Sequence, residues 1–281
     1  MRSTLCHALV LAATAAGLLV LSGAAAGGTS QRPVYQPPEG YYLALGDSMA
    51  YGFQGPKAKP GARASDFRTG YVDGFAATLK KLSPGIRVVN YGCPGESTVT
   101  FVRGGWNCDG AELHNAFHGS QLAAAKAFLR AHPGEVSPIT LTLWGNDVFP
   151  LTRRGKQARP AISAFAGHFS AILRQLRAAA PDAEIIVTGA WNPEADRVEQ
   201  GQPLYHSVDA AIKRAAAASR IRVAEMFSVF DGPGDARAQQ RRLCALTFYC
   251  SSKGQDPHPT DAGYRAMAKA FLTASGYPRT P

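Results

Sequence analysis

The chain has 281 residues, 46% of them hydrophobic and 18% charged, with a formal net charge of +10. That length is enough for one large domain with a good core. The basic residues are scattered, with short clusters at Arg153-Arg154 and Arg241-Arg242 and no stripe interleaved with aromatics, so a soluble basic surface is expected and a nucleic-acid groove is not.

The N-terminus reads as a secretory signal peptide over residues 1–26. Arg2 gives a positive start, an apolar run covers residues 8–21, and Ala24-Ala25-Ala26 offers small residues to a peptidase. The run is too short for a membrane span, and no Cys follows it as a lipoprotein anchor would require. No second long apolar run occurs, so the mature chain is expected to be secreted, soluble and monomeric, without stable membrane insertion. It would start near Gly27. Residues 27–40, rich in Gly, Pro and Gln, read as a linker, and residues 41–281 as one domain.

Within that domain, short apolar runs bounded by turn residues predict buried strands at 41–45, 86–90, 139–144, 185–188 and 222–227. Helical patterns fall between them. The first covers 71–81, and an alanine-rich helix over 121–131 stops before Pro133. A third, over 162–180, carries Phe165, Phe169, Ile172, Leu173 and Leu176 at helical spacing and ends at Pro181. Further helices are predicted over 208–219 and 261–274, the last capped by Thr260. Strands alternating with helices imply an α/β three-layer sandwich around a five-stranded, mainly parallel sheet. Ligands of such sheets bind beyond the carboxyl ends of the strands.

Five Cys are present, and Cys6 leaves with the signal peptide. An even set remains, Cys93, Cys108, Cys244 and Cys250, which in an exported chain suggests disulfides. Three pairings are possible. The local one, Cys93–Cys108 with Cys244–Cys250, is expected because it closes short loops. A metal site is not expected, since no Cys-x-x-Cys spacing occurs.

The residues able to carry chemistry follow the predicted strands. Ser48 lies in the turn Gly46-Asp47-Ser48 directly after the first strand. Such a turn exposes a hydroxyl and can aim backbone N–H groups at developing negative charge, although it is also ordinary turn chemistry. Gly-x-Ser-x-Gly does not occur around Ser48. A serine hydroxyl needs a base. His114, His118, His132, His168 and His206 have unremarkable settings, whereas His258 sits in Asp256-Pro257-His258-Pro259 before the last helix. Pro257 disfavours helical geometry at Asp256, and residues two apart in extended chain face alike, so Asp256 can stand beside His258. Gly95 follows the second strand and Asn146 the third. A backbone N–H at Gly95 and a side-chain amide at Asn146 suit an oxyanion, typically at about 3 kcal/mol each.

Taken in order, these four segments resemble the SGNH hydrolase superfamily, also known as the GDSL esterases and lipases. The resemblance runs from Tyr41 to about Leu272. It implies a flavodoxin-like fold, a carboxylic ester hydrolase without cofactor, and an oxyanion hole built from Ser48, Gly95 and Asn146. It implies Ser48 as nucleophile and His258 as base. One position departs from the pattern. Members usually carry Asp three residues before the His, where this chain has Gln255. Either Asp256 or a backbone carbonyl then orients His258.

Substrate choice falls to the loops at 53–70, 100–119 with Trp106, 147–160 with Phe149, 191–205 and 231–243. No amphipathic lid is evident, which favours soluble or short-chain esters. A lipid ester, an acetylated carbohydrate and a non-catalytic binding role on the same fold are the other readings.

Overall fold

The apolar runs pair as one five-stranded sheet in which every strand is parallel, in the order β2-β1-β3-β4-β5. The computed structural model describes residues 37–152, 158–251 and 255–277. The expected signal peptide, most of the expected linker and the Arg153-Arg154 cluster lie outside the described residues.

In chain order the elements are β1 (Tyr41–Gly46), α1 (Ser48–Tyr51), α2 (Tyr71–Leu82), β2 (Arg87–Asn90), α3 (Thr98–Arg103), α4 (Gln121–Ala131), β3 (Val136–Thr142), α5 (Gly145–Thr152), α6 (Ala158–Ala179), β4 (Ile185–Thr188), α7 (Val198–Ala218), β5 (Arg222–Ala224), α8 (Met226–Phe230), α9 (Ala236–Leu246) and α10 (Asp261–Ser275). Every residue of β1, β3 and β4 is buried. That is why β1 and β4 read as nearly continuous apolar runs rather than alternating ones.

The connection from β1 to β2 runs one way across the sheet, and the next three run the other. Right-handed crossovers therefore put α2 on one face and α4, α6 and α7 on the opposite face. The packing agrees, with α2 against α10 and α6 against both α4 and α7. The sequence direction reverses between β1 and β3, and the crevice at their carboxyl ends is the place such sheets offer a ligand.

Four expectations need correction. β3 starts at Val136, not 139. Ser137-Pro138 lies inside it and Pro138 has no N–H to give, so the β1 register shifts there, and the sequence shows a turn signal where the strand already runs. β5 stops at Ala224, because Met226 and Phe230 are four apart and bury one face of α8. α7 starts ten residues before the expected 208, passing Gly201 and Pro203, because Val198, Gly201, Tyr205 and Val208 share a buried face. The expected loops at 147–160, 191–205 and 231–243 are largely α5 with the start of α6, the start of α7, and α9.

Candidate active site

Ser48 is the first residue of α1, at the carboxyl end of β1. Gly46 makes the turn possible. Its φ is +125°, and a Cβ there would stand 2.0 Å from the Thr142 carbonyl oxygen, so no side chain fits where β1 leaves β3. Gln121, fully buried on α4, clamps this glycine. Its Oε1 accepts from Gly46 N at 2.6 Å, and its Nε2 donates to Gly46 O at 3.0 Å. Asp47 caps α1 by accepting from Met49 N at 3.0 Å and from the Thr142 hydroxyl at 3.0 Å. Burial pushes the Asp47 carboxyl up to about 7, against the pull of those two bonds. Among the described residues, no acceptor meets the Ser48 N–H.

His258 reaches Ser48 from the segment before α10. Its Nε2 stands 2.9 Å from Ser48 Oγ, and its Nδ1 stands 2.6 Å from Asp256 Oδ1. With an ionised Asp256, Nδ1–H is the donor to the carboxylate. Nε2 is then free to accept from the serine hydroxyl. Asp256 also accepts from His258 N at 3.0 Å through Oδ1 and from Gly55 N at 3.2 Å through Oδ2. Burial alone would raise this carboxyl. The side-chain hydrogen bond and charge of His258, with the two backbone donors, outweigh it and hold the group below its ordinary value. Gln255, at the position where the resembling family carries Asp, turns to Asp196 instead, with Nε2 3.1 Å from Asp196 Oδ2.

Two elements hold the His258 segment. Phe248 N donates to His258 O at 3.0 Å, and Cys244–Cys250 closes the loop that carries Phe248. From the other side, the buried Gln54 donates to Pro259 O at 3.1 Å and to Asp261 Oδ1 at 2.9 Å, and the Phe53 ring lies 4.6 Å from the imidazole.

Gly95 and Asn146 arrive on the neighbouring strand ends. Cys93 N donates to Gly46 O at 3.0 Å, so the turn after β2 is tied to the turn that carries Ser48. Gly95 has φ +79°. Its N–H meets no acceptor among the described residues. Asn146 Nδ2 donates to Glu96 O at 2.8 Å, which ties the end of β3 to the same turn and leaves one amide hydrogen uncommitted by that bond. Asp147 fixes the helix that follows, accepting from Thr98 N at 3.0 Å and from the Thr98 hydroxyl at 2.5 Å. Cys93 pairs with Cys108 across 15 residues.

Beside Ser48 a cavity of about 60 Å³ opens between Thr142, Trp144, Asn146, Phe149, Thr188 and Trp191. Of the two loop aromatics singled out in the sequence, Phe149 lines it, and Trp191, at the start of the 191–205 segment, lines it too. Trp106 stands instead against Gly95. His114 bonds to Tyr51 O, His132 packs at a tilt against Tyr41, and His206 stacks on Phe227. Sequence reading missed Gln54, Gly55 and Gln121. Each meets its partner across 25 residues or more, and no local pattern announces that. Among the described residues no group of three His, Cys, Asp or Glu could hold a metal ion, and no helix is long and apolar enough to cross a membrane.

Comparison with known proteins bears on this arrangement. The model of the GDSL-like lipase/acylhydrolase family matches residues 44–266. No curated protein matches the sequence. Among solved structures, an acetylxylan esterase from Geobacillus stearothermophilus is similar at 17% identity and TM-score 0.56, over 86% of this chain and 97% of that one. A putative GDSL-like lipase from Parabacteroides merdae gives 16% and 0.58, over 87% and 99%. An α/β hydrolase from the metagenome of Lake Arreo, Spain, gives 18% and 0.52, over 86% and 97%. At such identities the likeness concerns the fold.

Proposed function

This chain belongs to the GDSL-like lipase/acylhydrolase family and is an ester hydrolase, and we propose that Ser48 is its nucleophile, with His258 as general base and Asp256 as the group that orients the base. The observation that carries this reading is the unbroken path from Asp256 to His258 at 2.6 Å and from His258 to Ser48 at 2.9 Å. Ser48 Oγ attacks the acyl carbon while Nε2 takes its proton. The Ser48 and Gly95 N–H groups and the Asn146 amide face the oxyanion that forms. Nε2 then returns the proton to the leaving alcohol, and water releases the acid by the same steps in reverse.

The acyl group enters the cavity beside Ser48. The cavity is small, about 60 Å³, and is walled by Trp144, Phe149 and Trp191, which supports a short acyl chain. Esters of short acids are therefore the proposed substrates. The same small cavity favours a second reading, an acetyl ester of a carbohydrate, and the acetylxylan esterase from Geobacillus stearothermophilus is a neighbour in fold. Export of the chain after removal of residues 1–26 is part of the proposal, supported by the two disulfides.

The test is hydrolysis of nitrophenyl esters of graded chain length and of acetylated xylan, with Ser48→Ala as control. Wild type hydrolyses at least one of them. Ser48→Ala loses roughly 10⁴-fold or more in kcat. Equal rates in the two proteins would remove Ser48 from the mechanism.

A further inference from the structure

Trp106 lies in a loop twelve residues beyond Pro94 and is 42% exposed. Its indole Nε1–H donates to the Pro94 carbonyl oxygen at 2.8 Å. Its ring covers the next residue: a Cβ built on Gly95 would fall 2.6 Å from Cζ2 and 2.7 Å from Nε1. The Pro94 carbonyl and the Gly95 N–H belong to one peptide unit, and among the described residues the only cis bond is Ser137–Pro138, so this unit is trans. In a trans unit the C=O and N–H point in opposite directions from a shared plane. A donor fixed on the oxygen therefore sets where the hydrogen points. It also draws electron density toward the oxygen and strengthens the N–H as a donor, the cooperative effect known in chains of hydrogen bonds.

We propose that Trp106 is a positioning residue for the oxyanion hole: it orients and polarises the Pro94–Gly95 peptide so that the Gly95 N–H faces the developing oxyanion. The inference rests on the oxyanion role proposed above for Gly95. Three further restraints make the arrangement rigid. Cys93, just before the unit, is anchored to Gly46 O at 3.0 Å. Glu96, just after it, receives Asn146 Nδ2 on its carbonyl at 2.8 Å. The Cys93–Cys108 bridge brings the segment that carries Trp106 back beside the unit, with the two Cα atoms 4.8 Å apart. The N–H that remains without an acceptor at the centre of these restraints is that of Gly95.

The experiment compares wild type with Trp106→Phe, which removes the donor and keeps an aromatic ring, and with Trp106→Ala. Each is measured for kcat and KM on nitrophenyl acetate, for the inhibition constant of a simple alkyl boronic acid that adds to Ser48, and for the ¹⁵N shift of the Gly95 amide. Loss of a direct oxyanion donor costs about 10²–10³ in kcat. An indirect effect through the peptide should cost Trp106→Phe about two- to fivefold in kcat, with KM unchanged. Boronic acid affinity should weaken by the same factor, and the Gly95 ¹⁵N signal should move upfield. Trp106→Ala should do at least as much. Wild-type kcat in a folded Trp106→Phe overturns the proposal, as does a raised KM at unchanged kcat, which would make Trp106 a substrate platform. Ser48→Ala and Asn146→Ala run in the same assay separate the two layers. If both lose activity and Trp106→Phe does not, the Trp106 role alone fails. If neither does, the underlying site reading fails and the Trp106 role with it.

Discussion

Asp256 stands two residues before His258, and that spacing has a physical consequence. Pro257 keeps the pair out of helical geometry, so the carboxylate folds back and one oxygen takes both the Nδ1–H and the backbone N–H of His258. The second oxygen is held by Gly55 N. A carboxylate with these donors selects the tautomer in which Nε2 accepts from Ser48. We therefore expect Asp256→Asn to lower kcat by about 10²–10⁴ with KM little changed, since an amide can present N–H to Nδ1 and favour the wrong tautomer. A loss below tenfold would show that a backbone carbonyl suffices. Much at this scale was legible in the sequence: Ser48, Gly95, Asn146, Asp256 and His258 each occupy a turn after a predicted strand or before a predicted helix. The groups that hold them were not. Gln121, Gln54 and Gly55 look like ordinary helix and loop residues, and their bonds span 75, 205 and 201 residues.

Elements carry these residues with unequal clarity. The strands at 41 and 185 are visible because burial on both faces leaves almost no polar residue to interrupt the run. α9 is not visible, because among its side chains Leu243 is the buried one, and its surest local signal is the Asp235 cap, which accepts from Ala238 N at 2.8 Å. The two disulfides join elements of the site to the rest, and they should differ on removal. Closing 15 residues is worth about 3 kcal/mol and closing 6 about 2 kcal/mol in the chain-entropy model. Cys93→Ser with Cys108→Ser should therefore lower stability more than Cys244→Ser with Cys250→Ser, read from urea midpoints. The first pair also loosens the loop that carries Trp106, and the second the loop whose Phe248 N holds the His258 carbonyl. Each double variant should lose activity at temperatures where it remains fully folded. Full activity in both would confine the bridges to stability.

Across the whole molecule, the reversal of strand order between β1 and β3 opens one crevice, and the residues that fill it decide what Ser48 can reach. Thr142, Trp144 and Thr188 come from the ends of β3 and β4, and Trp191 from the turn beyond β4. Trp144 and Trp191 meet edge to face, with centroids 5.0 Å apart, and both are buried, so the floor is rigid. Phe149, on α5, is only half-buried and meets Trp144 edge to face at 5.3 Å. Of the three aromatic walls it is the least buried. The cavity of about 60 Å³ then predicts a steep preference for short acyl groups, with kcat/KM on nitrophenyl esters falling at least tenfold from acetate or butyrate to octanoate. Because each methylene accepted or refused is worth about 1–3 kcal/mol, Phe149→Ala should raise the octanoate-to-acetate ratio by roughly tenfold. It should leave the acetate kcat nearly unchanged, since the Ser48–His258 contact does not involve this ring. A wild-type enzyme that prefers octanoate, or a Phe149→Ala ratio equal to wild type, would place the acyl chain outside this cavity.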